Sequence, residues 1–163
     1  MKTRSDNYIP LELFQVTLKG FIVKDRRPLI VQPRSSTRMN LWDFPGGRIH
    51  KEEHFQSIEK TFYRELREEL GSELRVENLG PWIVYKLPFG KLKQLFPNAR
   101  QERFKGGIIN IGYLCKFKSG KIRLGREHQQ YRWVGESDYK NYRFSSWHEQ
   151  AIRNFFEKKM HLR

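Results

Sequence analysis

Gly46-Gly47-Arg48-Ile49-His50-Lys51-Glu52-Glu53 and, after a gap of ten residues, Arg64-Glu65-Leu66-Arg67-Glu68-Glu69-Leu70-Gly71 are the stretches on which the fold turns. The second piece reads as the end of a helix running from about Phe55 to Leu70. Gly71 stops it, as a glycine just past a helix does. At about 100° per residue, Glu65, Glu68 and Glu69 share one arc, because they are related by i, i+3 and i+4. Phe62, Tyr63, Leu66 and Leu70 make up the opposite, apolar side, which would face a core and leave the carboxylates towards solvent. Three carboxylates on one arc repel each other unless water or a cation lies between them. Hard oxygen donors converging on one point suit Mg2+ or Mn2+. The other reading is a solvated acidic face, which an isolated Glu-Glu pair on a helix usually is. The combined run with Gly-Gly upstream arises by chance in about one chain in ten thousand on composition, so the site reading prevails here.

Outward from this centre, Phe14–Lys24 is rich in β-branched and aromatic residues, and a turn leads into Leu29-Ile30-Val31-Gln32, giving a hairpin. A polar loop, Pro33 to Asn40, precedes a short extended segment, Leu41 to Phe44. Beyond the helix, strand-like runs cover Leu74–Glu77, Trp82–Lys86, Gly107–Lys118 and Gln130–Val134. Trp147, Ala151, Ile152, Phe155 and Phe156 recur at helical spacing within a closing helix of about 145–158. The predicted order is β-β-β-α-β-β-β-β-α, an α/β sandwich around a mixed sheet. No repeat, low-complexity tract or linker divides the chain, so residues 1–163 read as a single domain.

The 163 residues carry a formal net charge of +14, from 32 Lys+Arg against 18 Asp+Glu. Such an excess suits polyanionic company, namely nucleotides, nucleic acid or phosphorylated substrates, and is also met in lineages that favour basic residues. Residues 52–69 run against the trend, with six acids and three bases. One acidic helix inside a basic protein would suit a divalent cation at the helix and a multiply charged anion beside it. A lone cysteine, Cys115, excludes an internal disulfide and a cysteine-only zinc site and fits a reducing compartment. No apolar signal-like region follows Met1-Lys2-Thr3-Arg4, and the run ending at Cys115 is too short to span a bilayer. The expectation is a soluble cytoplasmic protein without membrane contact.

The two quoted pieces resemble the signature of the Nudix hydrolase family: Gly, five residues, Glu, seven residues, then Arg-Glu-apolar-x-Glu-Glu-x-Gly-apolar. Gly47 and Glu53 fit the first spacing, and Arg64 to Gly71 fit the second half throughout. Two departures stand out: the gap from His54 to Tyr63 is three residues longer than in the family, and Ser72 replaces an apolar residue. The resemblance implies an α/β/α sandwich with a central mixed sheet. It also implies Mg2+- or Mn2+-dependent hydrolysis of a phosphoanhydride in a nucleoside diphosphate linked to another group. By position, Glu65 and Glu69 would be direct metal ligands and Glu68 a ligand or a water-bridged partner. The carbonyl beside Gly46 or at Gly47 would complete the shell. Glu53 would orient the cluster, and Arg64 would fix a glutamate by an ion pair. Nucleotide sugars, dinucleoside polyphosphates and nucleoside triphosphates all fit such chemistry. The alternatives are the 5′ end of RNA as substrate, or a catalytically silent scaffold that binds nucleotides or RNA.

Outside the signature, Arg48 is either a bidentate phosphate ligand or an exposed arginine at a strand end. Glu127-His128 resembles an element that precedes this strand in many Nudix chains, with Glu127 the preferred base or extra ligand over His128. Trp42, Trp82, Trp133 and Trp147, with Phe14, Tyr85 and Phe89, offer core area or a base-stacking partner. The basic segment Pro88–Lys105 reads as a substrate-covering loop, a homodimer contact or a solvated insertion. His148 and His161, without partner spacing, read as surface residues. No zinc pattern, nucleophilic serine motif or Walker loop is present.

Overall fold

Successive residues of the first strand point to different cores, as the period of two requires. In the computed structural model, which describes residues 14–34, 40–53, 55–87 and 107–163, β1 (Phe14–Lys24) sends Leu18 and Ile22 to one face and Phe21 and Val23 to the other. β2 (Arg27–Pro33) repeats the split, with Leu29 and Val31 opposed to Ile30. Helix α1 (Ile58–Leu70) closes the first face with Phe62, Leu66 and Leu70, one turn apart. Helix α2 (Ser146–Glu157) closes the second with Ala151, Ile152, Phe155 and Phe156. Each large side chain among these contributes about 1.5–3 kcal/mol by burial. The sheet between them also contains β3 (Arg75–Leu87), β4 (Gly107–Ser119) and β5 (His128–Trp133). Its five strands run in the order β3-β4-β1-β2-β5. β1 and β4 are parallel and the other pairs antiparallel. This is the mixed-sheet α/β/α sandwich expected from the sequence.

Three expectations change in detail. The helix starts at Ile58 and not near Phe55, because Ser57 caps it, accepting from Lys60 N at 3.3 Å. Phe55 is fully exposed. The runs at 74–77 and 82–86 belong to one strand. Register shifts on either side of Pro81 absorb a residue that has no N–H to donate, and Gly80 supplies a φ of +98°. Leu41 to Phe44 makes only isolated bridges, Trp42 to Phe144 and Asp43 to Val31, so it is not a strand. Pro88–Lys105, with Phe89, and much of the polar loop before Asn40 lie outside the described residues. No described helix is long and apolar enough to cross a membrane.

The positioning device for the site is a wedge. β1 and β2 pair only next to their turn, at Val23↔Pro28 and Lys24↔Arg27. Further along they part, and residues 43–49 occupy the opening. Asp43 and Val31 exchange both backbone bonds at 2.9 Å. Gly20 N donates to Pro45 O at 2.7 Å, Leu18 N to Gly47 O at 2.8 Å, and Ile49 N to Val16 O at 3.0 Å. The Gly46-Gly47 turn is thereby laid across the centre of the sheet.

Candidate active site

α1 meets the wedge through its charged stripe. Glu53, in a short 3-10 turn over Lys51–Glu53, is buried and accepts from Arg64 Nε at 2.6 Å and Nη2 at 3.0 Å. The backbone N–H of His50 adds a third donor at 2.8 Å. Bonding to the guanidinium, helped by that N–H, holds the Glu53 carboxyl down at about 2. Arg64 also reaches Glu65 Oε1 at 2.8 Å and Glu68 Oε2 at 2.9 Å, and its own pKa is raised, chiefly by the Glu53 bond. One guanidinium therefore gathers three glutamates of the signature.

Glu65 and Glu69 do not face solvent. Both are buried under the glycine turn, while Glu68 is exposed. The two glycines are required there for different reasons. Gly46 has φ +122°, and a Cβ on it would lie 2.1 Å from Leu18 O. A Cβ on Gly47 would lie 2.2 Å from Glu65 Oε2. Glu69 Oε2 accepts from Gly46 N at 2.6 Å. Burial pushes the Glu69 carboxyl up to about 8, against the opposing charge of Lys19 and the Gly46 bond. Burial raises Glu65 as well, opposed by Arg64.

A buried polar cluster escaped the sequence reading. Lys19 points from β1 into the wedge, where Nζ donates to Asp43 Oδ2 at 2.9 Å, Phe44 O at 3.1 Å and Gly46 O at 3.3 Å. Asp43 Oδ1 accepts from Phe44 N at 2.7 Å and lies 3.2 Å from His148 Nδ1. His148 is buried, not on the surface, because its place one turn before Ile152 turns it to the sheet. His161 is also largely covered, against Phe155 and Phe156. The signal for this cluster was a lysine inside an apolar strand.

The remaining expected residues divide. Arg48 is exposed beside the turn, and its carbonyl accepts weakly from Arg64 at 3.4 Å. Glu127 is exposed, whereas His128 is buried with Nε2 3.6 Å from Glu69 Oε2, so the structure brings the histidine and not the glutamate to the carboxylates. The Gly47 carbonyl is engaged by Leu18 N, and the Gly46 carbonyl faces Lys19. Trp42 is a core residue, and Trp82 and Trp133 pack on the two cores.

Among the described residues, no three His, Cys, Asp or Glu side chains are grouped as a metal-holding set. What fits a hard divalent cation is the donor chemistry. Two carboxylates one helical turn apart lie buried beneath a glycine turn, and Glu69 has less positive charge around it than its burial calls for.

Sandwich and signature together define the class, and comparison with known proteins agrees. The NUDIX domain family matches residues 14–155. The chain belongs to the NUDIX family. It is 30% identical over 101 residues to the nucleoside triphosphatase NudI of Klebsiella pneumoniae (strain 342), covering 62% of this chain and 66% of that protein. It is also 30% identical over 102 residues to the RNA pyrophosphohydrolase of Campylobacter jejuni, covering 60% of this chain and 58% of that one. The chain thus matches less than two thirds of the length of these relatives, 66% of one and 58% of the other. The fold is shared with a bifunctional NMN adenylyltransferase/ADP ribose pyrophosphatase from Francisella tularensis, complexed with AMP and a Mn ion. That likeness has a TM-score of 0.61 at 20% identity, covering 93% of this chain and 43% of that one.

Proposed function

We propose that this chain is a divalent-metal-dependent pyrophosphohydrolase, acting as a single domain on a phosphoanhydride in a nucleoside diphosphate derivative or nucleoside triphosphate. The observation that carries the reading is the pair Glu65 and Glu69, buried under Gly46-Gly47 with Glu69 short of compensating charge. Membership of a hydrolase family and the phosphatase names of the relatives support it. Mg2+ is the proposed ion and Mn2+ the substitute, the latter named for the Francisella protein. Bound there, such an ion supplies charge neutralisation on phosphate oxygens and activation of water.

The chain's own residues do the rest. Glu65 and Glu69 hold the ion, and exposed Glu68 adds a third carboxylate directly or through water. Gly47 gives Glu65 the space to approach. Glu53 and Arg64 fix the direction of Glu65 by the bonds described above. Arg48, exposed beside the turn, takes a phosphate of the substrate. His128, the residue that the structure brings to the carboxylates, takes the proton of the attacking water in preference to the exposed Glu127. In-line attack at phosphorus then depends on position and charge more than on covalent help.

The test is a panel of nucleoside triphosphates, nucleotide sugars and dinucleoside polyphosphates with Mg2+ or Mn2+, read as phosphate or pyrophosphate release. Hydrolysis of at least one class, abolished by EDTA, is the expected result. Turnover that persists in metal-free buffer would refute the mechanism. The net charge of +14 and the Campylobacter relative favour a second substrate, the triphosphorylated 5′ end of RNA. Its signature is a steep fall in kcat/KM with salt that mononucleotide substrates do not show.

A further inference from the structure

Lys19 is almost wholly buried in a strand whose neighbours Leu18, Phe21 and Ile22 are core residues. An ammonium there is a poor source of stability, since desolvation offsets most of what an ion pair returns. Its contacts indicate another role. The turn Phe44-Pro45-Gly46-Gly47 offers few handles: proline has no N–H, and neither glycine has a side chain. β1 takes its four carbonyls in consecutive residues. Gly20 N holds Pro45 O, Leu18 N holds Gly47 O, and the Lys19 side chain bonds Phe44 O and Gly46 O. Asp43, on the same ammonium, is anchored in turn by His148 of α2. The N–H that reaches Glu69 belongs to Gly46, one atom set away from the carbonyl that Lys19 holds.

We propose that Lys19 is a positioning residue, which sets the Gly46-Gly47 turn, and through the Gly46 N–H the Glu69 carboxylate, in the arrangement that receives the cation. The inference rests on the reading of Glu69 as a metal-holding residue. Lys19 touches no reacting atom. Loosening it frees Phe44 O and Gly46 O while the backbone pairing of 18 and 20 keeps the wedge in place.

The test compares wild type with Lys19→Met, which keeps length and apolar bulk but donates nothing. Amide hydrogen exchange at Gly46 is expected to quicken about tenfold or more, with Leu114 in β4 unchanged, since losing a hydrogen bond to a charged donor is felt locally. MnCl2 alone, titrated calorimetrically, should bind about tenfold more weakly, and kcat should fall more than KM rises. Lys19→Arg, which keeps charge and some donors, should recover part of each loss. Should Lys19→Met fail to fold, the arginine variant carries the test through Gly46 exchange and Mn2+ affinity. Unchanged Gly46 exchange and Mn2+ affinity in a folded variant overturns the proposal, and so does equal loss of protection at Gly46 and Leu114. If wild type hydrolyses nothing on the panel, the functional reading fails while Gly46 exchange still decides the role of Lys19.

Discussion

Glu53 and Glu69 are buried alike, at 6% and 7% relative exposure, and lie at one site, yet they are held in opposite ways. Glu53 meets a guanidinium at two points and a backbone N–H, and its carboxyl stays down at about 2. Glu69 accepts from Gly46 N, with His128 Nε2 at 3.6 Å and the more distant charge of Lys19, and burial raises it to about 8. At Glu53 the bond from Arg64 outweighs the cost of burial, whereas at Glu69 burial outweighs the charge of Lys19 and the Gly46 bond. The first carboxylate is a finished ion pair that orients its surroundings. The second lies buried and short of positive charge, so it keeps its proton until a cation takes the proton's place.

The comparison breaks most visibly in turnover. Glu69→Gln should lower kcat about a thousandfold with little change in KM and no loss of fold, because it removes a cation ligand. Glu59→Gln, exposed on the same helix, should leave kinetics unchanged. Comparable small losses in both would end the distinction. A smaller effect, of a few kcal/mol, lies in metal-free stability against pH. Above an unfolded value of 4.5 the folded protein keeps a proton on Glu69 that the unfolded chain releases, so stability should fall as pH rises from 4.5 through about 8. Glu53 has the opposite sign: its contribution is complete above 4.5 and is lost as pH drops towards 2. Urea titrations with EDTA across pH should show a shallower fall with rising pH in Glu69→Gln than in wild type, because Glu65, also raised by burial, remains.

Arg64→Gln should cost about 2–3 kcal/mol in the same titrations, since it leaves Glu53 buried without its partner. No loss would mean that the pair at Glu53 orients nothing. Gly47→Ala should cost least in stability, about 1 kcal/mol, because the group in its way is the movable end of Glu65. Its activity should nevertheless fall well beyond that figure, as Glu65 is displaced from beside the turn. Stability and kcat measured on the same preparation separate the two.

The parts of this molecule governed by local pattern were readable in the chain. Phe62, Leu66 and Leu70 announce the buried stripe of α1, and β1 ends at Lys24 as its composition suggests. The carboxylates were legible as a set because helical spacing places them together. Their burial was not, since it comes from a wedge that other parts of the chain build over them. Lys19, Asp43 and His148 are far apart in sequence and meet only when β1, the turn and α2 assemble, so no spacing betrays them. The capping serine at 57 was available as a signal, but Phe55 extended the apolar pattern past it. Glu127 and His128 are adjacent, and in an irregular approach to β5 only tertiary contact decides which one turns inward.

The pairing of β1 carries a consequence for how the chain reaches this state. Its antiparallel neighbour in sequence, β2, gives it two residue pairs, whereas its ten-residue ladder is with parallel β4, from Phe14↔Gly107 to Val23↔Lys116. Closing that ladder means paying loop-closure entropy over everything between, including α1 and β3, before the contacts reward it. On a ribosome, the segment that ends in the glycine turn therefore waits, without its sheet, until the residues of β4 have emerged. The wedge, and with it the cover over Glu69, is assembled late.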